Sequence, residues 1–570
     1  MSNLSNPVIV QSDLSILLEV DNPLFAEARD ALARFAELEK SPEHIHTYRL
    51  SNISLWNAIA SGLSPEELID LLERYSKFPL PQSMLHNIMD ISSRYGKLVL
   101  TPAEGSWLRL SSTDEMTARY VAAHSKISSL LVPDTQNYGG EPSWLVDEKY
   151  RGEIKRLLTQ FGYPVKDLVG YEPGDAYHFH LKPESESGFA VRKYQDLAVE
   201  NFYKGGSVEG GCGVVVMPCG SGKTIIGICA MARLQTCTLV LSANITALRQ
   251  WRQELLDKTD IPPDDIAEYS GQSKKIAPIT LATYQILTYH PEKNSDNFPH
   301  FKLFHKRNWG LIIYDEVHLL PAPVFRITSD IQARRRLGLT ATLVREDGKE
   351  SDVFSLVGPK RYDVPWKELE SQKWLAAACC TEMRVPMSEE SKCDYAVSSD
   401  RVRFRIASEN PAKTSCVKML LERHKGSHIL IIGQYIGQLT KLSKELNVPL
   451  LTGSASQERR DRFYGMFRRG EINVLMVSKI GNIAVDLPDA NVAIQISGTF
   501  GSRQEEAQRL GRILRPKPGL NNAYFYTIVT QNSMEQDFAL NRQMFLTEQG
   551  YEYRIEKYKE PTNQKKPKKS

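Results

Sequence analysis

The chain has 570 residues, with 71 basic and 68 acidic side chains and a formal net charge of +3. At about 100–200 residues per domain, this length predicts several domains. Hydrophobic residues make up 41% and charged residues 24%, which is typical of a globular protein in water. Because no run of about 18 apolar residues occurs, the sequence predicts no membrane span. The eight cysteines show neither zinc-site nor disulfide-framework spacing, so we expect a cytoplasmic protein.

Charge is spread unevenly along the chain. Residues 1–100 carry 13 acidic and 8 basic side chains, whereas the last sixteen residues carry six lysines and two glutamates. The protein would therefore bind a polyanion through local basic surfaces and not through an overall positive potential. We predict no nucleic-acid-binding face at the N-terminal end, and we expect the basic tail, residues 556–570, to be disordered.

Periodicity separates an N-terminal part from a longer C-terminal part. A strand-like opening at residues 8–20 leads into helical patterning, with a capping sequence at Ser64-Pro-Glu-Glu67. A mixed segment, in which residues 150–161 predict a helix ended by Gly162, precedes a polar linker at residues 183–188. Apolar runs then alternate with helical stretches, at residues 213–217, 238–242, 311–314, 428–432, 473–477 and 492–496. Buried strands that alternate with helices predict parallel α/β sheets, and the length suffices for two in tandem.

The sharpest motif is a glycine-containing loop between an apolar run and a helical stretch. It consists of Met217, Pro218, Cys219, Gly220, Ser221, Gly222, Lys223 and Thr224. Its glycines allow backbone N–H groups to curl around phosphates, Lys223 supplies charge to the β- and γ-phosphates, and Thr224 offers a hydroxyl to Mg²⁺. Met217 stands where such a loop has its first glycine.

A second buried run ends in two carboxylates, Asp315 and Glu316. We predict that Asp315 holds Mg²⁺ and that Glu316 polarises the attacking water. An apolar strand that ends in Asp-Glu also arises by chance. At 92 residues after Lys223 of a phosphate loop, however, the pair indicates an ATPase.

Further motifs resemble the superfamily-two helicases and, among them, the XPB-type DNA helicases in their compact prokaryotic form. The segments that carry the resemblance are Pro7–Pro23, Asp315-Glu-Val-His318, Gly338-Leu-Thr-Ala-Thr342, the triplet Arg345-Glu346-Asp347, Ser355–Lys360, Gly501–Arg515 and Arg542–Tyr551. The resemblance covers most of the chain, and the motifs are specific in combination.

The resemblance implies an α/β fold in which two tandem RecA-like parallel-sheet domains form an ATP cleft, preceded by N-terminal α+β domains. The implied domains are an acidic N-terminal domain (1–105), a damage-recognition-like domain (106–182), RecA-like helicase domain 1 (183–365), RecA-like helicase domain 2 (366–555) with a short thumb-like insertion at about 387–413, and the basic tail (556–570).

The resemblance also implies roles at the nucleotide site. Gln195 would read adenine, a task that suits an amide because it both donates and accepts hydrogen bonds. Arg512 and Arg515 would reach the γ-phosphate, since a guanidinium stays charged and makes forked contacts. Gln508 and Asp486 would help to close the site. The expected cofactors are ATP and Mg²⁺, with Thr224 and Asp315 as the metal ligands.

The implied DNA contacts use small hydroxyls, backbone amides and charged turns, which suit a motor that moves over any sequence. The implied DNA-binding residues are Asn244, Arg249, Thr283, Thr340, Thr342, Arg345, Glu346, Asp347, Ser478 and Lys479. Threonines near strand ends also cap helices, and the charged triplet has an alternative as a solvated turn. Residues 401–405, rich in arginine, fit either a thumb or a charged helix face, and we interpret the basic residues of helix 150–161 as a solvated face.

By resemblance, the chain is an ATP-dependent 3′-5′ DNA helicase that couples hydrolysis to strand separation in DNA repair. Its expected partners are single-stranded and forked duplex DNA, together with a nuclease or repair protein bound through the N-terminal domains. Two alternatives stay open: an ATP-driven duplex DNA translocase or remodeller, and an adaptor that recruits a nuclease. An RNA helicase of the DEAD-box kind fits the Asp315–His318 motif and the charged triplet less well.

The lysine cluster of the tail generates a first testable prediction. Deleting Lys565–Ser570 removes four lysines. The deletion should weaken DNA binding about tenfold at low salt, for every sequence, because these side chains displace counterions from phosphates. Fluorescence anisotropy with labelled DNA across a salt series measures this loss, and unchanged affinity at low salt would contradict the prediction.

Overall fold

The computed structural model describes residues 3–40, 44–134, 141–218, 220–289, 298–341, 350–364, 369–370, 372, 374, 376–478, 490–497, 522–548, 551 and 553–558. Residues 1–217 and 222–364 form one compact unit, and residues 365–570 with 218–221 form the other. Strands of the described residues make four sheets. None of the helices in these residues has the length and apolar character needed to cross a membrane.

The first sheet is antiparallel, with the strand order β1-β2-β4-β3. Its strands are β1 (Val8–Val10), β2 (Ser15–Glu19), β3 (Glu37–Lys40) and β4 (Ile45–Arg49), and its helices are Phe25–Leu32, Asn52–Ala60, Pro65–Tyr75 and Gln82–Arg94. The predicted cap at Ser64 is confirmed. The Ser64 hydroxyl oxygen accepts a hydrogen bond of 3.1 Å from the Glu67 N–H, and the Glu67 carboxylate accepts one of 2.8 Å from the Ser64 N–H.

The second sheet has the order β7-β8-β6-β5-β9, and only β5 and β9 are parallel neighbours. Its strands are β5 (Leu98–Pro102), β6 (Trp107–Ser112), β7 (Val132–Pro133), β8 (Ser143–Asp147) and β9 (Val165–Asp167), and its helices are Glu115–Ala123, Ser125–Ser128, Arg151–Gln160 and the 3₁₀ turn Glu148–Tyr150. The sheet includes β5, although its residues fall within the predicted first domain (1–105). The domain limit at residue 105 stays a prediction. The helix predicted at 150–161 is confirmed as Arg151–Gln160, and Gly162 follows with a φ of +90°.

The interpretation of helix Arg151–Gln160 as having a solvated basic face is wrong for two residues. Arg151 and Lys155 are buried, and both donate to the carboxylate of Asp167 at 2.9 Å. Lys155 also donates to Oε1 of Gln332 at 2.8 Å, across to the third sheet's domain. Burial opposes the charge of Asp167, but the two cations hold the pKa of its carboxyl well below the usual range. These charges therefore join the two domains.

The third sheet is parallel throughout its described strands, with the order β12-β13-β11-β14-β15-β10-β16. Its strands are β10 (Cys212–Val216), β11 (Thr238–Ser242), β12 (Ile266–Tyr269), β13 (Ile279–Thr283), β14 (Leu311–Asp315), β15 (Arg335–Thr340) and β16 (Lys360–Asp363). Its α-helices are Glu184–Ser187, Lys193–Tyr203, Lys223–Leu234, Ile245–Lys258, Tyr284–Leu287, Ala322–Asp330 and Glu350–Asp352. Further turns are the 3₁₀ segments Lys204–Gly206, Pro263–Asp265, Phe301–His305 and Val317–Leu319 and the π-helical Val353–Val357.

The π-helical turn anchors the N-terminal domain to the third sheet. Phe354 lies within the N-terminal hydrophobic core, with ring centroids 6.1 Å from Trp56 and 6.2 Å from Tyr95. The Lys360 N–H at the edge strand donates to Oδ1 of Asn57 at 2.9 Å. Since these contacts join residues about 300 positions apart, the sequence pattern alone does not indicate them.

The fourth sheet belongs to the second unit and is also parallel, with the order β19-β20-β18-β21-β22-β17-β23. Its strands are β17 (Ala377–Val385), β18 (Ile429–Gly433), β19 (Leu450–Leu451), β20 (Val474–Ser478), β21 (Val492–Gln495), β22 (Asn522–Thr530) and β23 (Tyr553–Lys557). Its helices are Glu389–Val397, Asp400–Ser408, Ala412–Arg423, Ile436–Leu446, Gln457–Arg468 and Met534–Glu548. Two parallel sheets in tandem confirm the predicted fold class.

A buried ion pair holds the helices of the second unit together. Lys413 is 0% exposed and Glu535 is 4% exposed, and Nζ of Lys413 lies 2.8 Å from both carboxylate oxygens of Glu535. The same ammonium donates to the carbonyl of Ile496 at 2.8 Å. Glu535 also accepts hydrogen bonds from the Ser408 hydroxyl and the Thr530 N–H. Three helices and the ends of two strands thus meet at one pair of charges.

Replacing Lys413 tests how much this ion pair contributes to the stability of the second unit. Lys413→Met leaves Glu535 buried without its cation, so the free energy of unfolding of the second unit should fall by about 3–5 kcal/mol. Urea denaturation and hydrogen exchange of helix Met534–Glu548 measure the change. Lys418→Met is the matched control, because Lys418 lies on the same helix and pairs with Glu445 at the surface, where it is 50% exposed. An equal effect of both substitutions would contradict the prediction.

Candidate functional site

The predicted phosphate loop, residues 217–224, lies at the carboxyl end of β10 and leads into helix Lys223–Leu234. Gly220 and Gly222 have φ values of +82° and +88°, in the left-handed region that favours glycine. A Cβ on Gly222 would also lie 2.5 Å from Nε2 of Gln195. The turn before the helix therefore requires glycine both for its backbone angle and for its closeness to a side chain.

Met217 replaces the loop's first glycine at a position that does not need one. Its N–H donates to the carbonyl of Thr340 at 2.9 Å, which extends the pairing of β10 with β15 by one residue. Its side chain is fully buried. The position continues the strand, so the loop's sharp turn begins only after it.

Predicted site residues follow five neighbouring strands of the third sheet. In spatial order, β13, β11, β14, β15 and β10 end at Thr283, Ser242, Asp315, Thr340 and Val216. Because parallel strands share one carboxyl edge, the phosphate loop and the Asp315-Glu316 pair come to the same edge of the sheet.

An ion pair joins the two motifs. Nζ of Lys223 lies 3.0 Å from Oε1 of Glu316, with side-chain exposures of 10% and 19%. Glu316 has a φ of +51°, which is uncommon and mildly strained for a residue with a side chain. Burial opposes its ionisation, yet Lys223 and then His318 hold the pKa of the Glu316 carboxyl below its usual value. Glu316 is therefore an ionised carboxylate held beside the loop.

Asp315 is held by donors from three other elements. Its Oδ2 accepts hydrogen bonds of 3.0 Å from both the Ser242 hydroxyl and the Trp251 indole N–H. The Tyr284 hydroxyl donates to its backbone carbonyl, also at 3.0 Å. Burial, followed by the neighbouring Glu316 charge, raises the pKa of the Asp315 carboxyl above its usual value. A nearby cation would stabilise the ionised form of such a carboxylate.

His318 is a site residue for which the sequence analysis predicts no role. Its Nδ1 lies 2.7 Å from Oγ1 of Thr340 and 3.5 Å from Oε2 of Glu316, and the residue is buried. Within the described part of the chain, Oε2 of Glu316 has no hydrogen-bond partner. The imidazole thus links the end of β15 to the Glu316 carboxylate. Its place two residues after Glu316 was the only available sequence signal.

Gln195 reaches the loop from a helix that precedes β10. It is 1% exposed, and its Oε1 accepts a hydrogen bond of 3.0 Å from the Arg192 N–H. Its Nε2 lies against Gly222, as described above. The residue predicted to read adenine and the phosphate loop are thus neighbours in space.

Comparison with known proteins links this arrangement to a family. The family model described as ERCC3/RAD25/XPB C-terminal helicase matches residues 369–569, the type III restriction enzyme res subunit model matches residues 188–345, and a helicase conserved C-terminal domain model matches residues 8–136. The chain is 49% identical over 553 residues to the protein named DNA 3′-5′ helicase XPB of Kineococcus radiotolerans, with 96% of each chain covered. It belongs to the XPB family of DNA helicases.

Two further relatives span most of this chain. One, from Mycobacterium tuberculosis, is also named DNA 3′-5′ helicase XPB and is 48% identical over 549 residues, covering 96% of this chain and 97% of its own. The other is named general transcription and DNA repair factor IIH helicase/translocase subunit XPB, from Encephalitozoon cuniculi. It is 32% identical over 562 residues, covering 97% of this chain and 83% of its own. The prediction of an ATP-dependent helicase of this family is confirmed.

In this XPB-family chain, several predicted DNA contacts already have partners within the protein. Asn244 Oδ1 and Thr283 Oγ1 accept hydrogen bonds from backbone N–H groups at the starts of their helices, at 3.0 and 3.3 Å. Thr340 is fully buried against His318. Arg249 is exposed and donates weakly to Gln272, and Ser478 is buried at the end of β20. Their roles in binding DNA stay predictions.

Many predicted site residues lie outside the described residues. They are Cys219, Thr342, Arg345, Glu346, Asp347, Lys479, Asp486, Gln508, Arg512 and Arg515. The predicted thumb-like insertion, in contrast, is described and contains helices Glu389–Val397 and Asp400–Ser408. There Arg403 donates to the carbonyls of Tyr395 and Ala396, and Arg405 pairs with Glu409 at 2.8 Å. Two of the arginines therefore have local partners in the second unit.

Gly222→Ala tests the geometry of the loop. The added Cβ meets Gln195 at 2.5 Å and sits on a left-handed residue, which should lower affinity for ATP at least tenfold. Equilibrium binding of a fluorescent ATP analogue measures the loss. Gly271→Ala should bind normally, since a Cβ there meets nothing within 4 Å. Unchanged affinity of Gly222→Ala would show that the free loop adopts another conformation with nucleotide.

Proposed function

We propose that this chain hydrolyses ATP at the carboxyl edge of the third sheet and uses the energy to move 3′-5′ along DNA and separate its strands, in DNA repair. The observation that carries the proposal is the ion pair of 3.0 Å between Lys223 and Glu316, in a chain 49% identical to a named DNA 3′-5′ helicase. The pair supports the proposal because an ammonium suited to binding phosphate and a carboxylate suited to act as a base lie side by side.

Lys223 and the loop amides would bind the β- and γ-phosphates. An ATP γ-phosphate competes with Glu316 for the Lys223 ammonium, so nucleotide binding would release the Glu316 carboxylate toward an attacking water. Glu316 is suited to this role because it is ionised and because Oε2 has no hydrogen-bond partner among the described residues. His318 would hold the freed carboxylate in place through its contact at 3.5 Å.

The chain's residues fit a magnesium ion bound together with nucleotide. Thr224 lies in the first turn of the loop's helix, and Asp315 is a half-buried carboxylate whose raised pKa favours a cation beside it. Among the described residues no group of three or more His, Cys, Asp and Glu can hold a metal. This agrees with Mg²⁺, which is usually bound by one or two protein ligands and by substrate phosphates. Bound Mg²⁺ would neutralise charge on the phosphate oxygens.

The remaining roles rest on the sequence alone. Gln195 would read adenine, while Asp486, Gln508, Arg512 and Arg515 would act on the nucleotide from sequence positions outside the described residues. The predicted DNA-binding residues would track the sugar-phosphate backbone, and the N-terminal domains would bind a nuclease or repair protein. A pulldown that succeeds with residues 1–182 deleted would overturn the last of these roles.

Two substitutions separate binding from hydrolysis. Glu316→Gln keeps the shape but removes the base, so kcat for ATP should fall about 100-fold or more, while ATP affinity should not fall, because the γ-phosphate no longer competes with a carboxylate for Lys223. Lys223→Ala should lose both. Steady-state ATPase assays and equilibrium binding of a fluorescent ATP analogue measure these effects, and full activity of Glu316→Gln would assign the base to another residue.

The nucleic acid is identified by ATPase rates with no nucleic acid, single-stranded DNA, a duplex with a 3′ tail, blunt duplex and matching RNA. Stimulation by DNA with unwinding of the 3′-tailed duplex, both lost in Lys223→Ala, is the expected result. Stimulation by blunt duplex without strand release would favour a translocase. Absence of stimulation by any nucleic acid would contradict the proposed function of the isolated chain.

A further inference from the structure

The Trp251 side chain has one hydrogen-bond donor, the indole N–H, and this group bonds to a charged side chain. It is one of three tryptophans that the described residues bury to below 2% exposure, with Trp56 and Trp309. The other two donate their indole N–H groups to backbone carbonyls, of Ile91 and Leu303. Trp251 instead donates to Oδ2 of Asp315 at 3.0 Å. A buried indole normally satisfies its N–H on the nearest carbonyl, so a carboxylate partner calls for an explanation at Asp315.

The indole also packs directly on the helix that follows the phosphate loop. A Cβ on Gly227 would lie 2.4 Å from Cη2 and 3.2 Å from Cζ3 of Trp251. Gly227 lies one helical turn after Lys223 and Thr224. Glycine at this position thus lets the ring fill the space between the loop's helix and β14. One rigid side chain therefore touches both elements that would hold the metal-bound nucleotide.

Two hydrogen bonds to the Asp315 carboxylate end on the same oxygen. Trp251 and Ser242 both donate to Oδ2 at 3.0 Å. Two donors that converge on Oδ2 set the rotation of the carboxylate and thereby fix the direction of Oδ1. A carboxylate that binds a cation needs hydrogen bonds of this kind, because the group otherwise rotates easily about its terminal torsion.

We propose that Trp251 is a positioning residue for the Mg²⁺-dependent step: it holds Asp315 by Oδ2 and fixes its distance from the phosphate-loop helix, so that Oδ1 faces the metal of a bound Mg·ATP. The inference rests on the proposed function. Trp251 lies on helix Ile245–Lys258, whose first residues include predicted DNA contacts. The same helix therefore carries Arg249 on its exposed side and the support of Asp315 on its buried side.

Trp251→Phe in the full chain is the main test. It keeps an aromatic ring against Gly227 and removes the N–H. The measured quantity is the ratio of the dissociation constants of a fluorescent, non-hydrolysable ATP analogue in EDTA and in Mg²⁺. This ratio should fall about tenfold, since a hydrogen bond to a charged group is lost, while the constant in EDTA stays within about twofold. The Mg²⁺ concentration for half-maximal ATPase rate should rise by a similar factor.

Trp309→Phe is the matched control. It removes an equally buried indole N–H from the same unit, but one that donates to the Leu303 carbonyl, and should leave the ratio unchanged. A merely structural role of Trp251 predicts equal weakening in EDTA and in Mg²⁺, and that result would overturn the proposal. So would an unchanged ratio in a folded Trp251→Phe protein.

Two more variants extend the test, and the first of them stays informative even if Trp251→Phe does not fold. Ser242→Ala removes the second donor to the same oxygen without disturbing the ring and should also lower the ratio; no change there would count against the proposal. In an Asp315→Asn background, Trp251→Phe should add no further loss, because it acts through Asp315. An additional loss would overturn this. If the unmodified chain binds the analogue without dependence on Mg²⁺, the proposed function itself fails.

Discussion

The ion pair between Lys223 and Glu316 sets the requirements for the rest of the site. The two charges lie 3.0 Å apart and are mostly buried, so each would be costly to keep without the other. The pair neutralises both charges. In the proposed reaction a triphosphate would replace Glu316 as the partner of Lys223, and the carboxylate would be freed.

Surrounding groups adjust the properties of this pair rather than adding to its charge. His318 contacts Glu316 and Thr340, and Trp251 and Ser242 hold the adjacent Asp315. The pKa of Glu316 is held low and that of Asp315 is raised. Neighbouring carboxylates with pKa values displaced in opposite directions commonly have different tasks. Here the ionised Glu316 suits the role of a base. Asp315, whose ionised form is destabilised, suits the role of a metal ligand.

The N-terminal domains of the first unit are attached to the third sheet through buried contacts. Phe354 is part of the N-terminal core, and Lys155 bonds to Gln332 as well as to Asp167. Buried charges that need all their partners tolerate little rearrangement. These domains are therefore rigidly joined to the sheet that carries the phosphate loop. A partner bound to them would be held firmly to the motor.

Local chemistry and spacing in the sequence determined the tandem α/β fold, the phosphate loop and the two carboxylates, because these depend on glycine angles, strand patterns and residue type. The resemblance to the XPB-type helicases indicated which reaction the chain catalyses. Only the tertiary structure decided that Met217 extends a strand, that Arg151 and Lys155 are buried, and that Trp251 supports Asp315. Each of these depends on partners far away in sequence, and periodicity carries no information about which distant residue meets which. Burial and pairing of polar groups are set when the elements pack, so they could be read only from the folded chain.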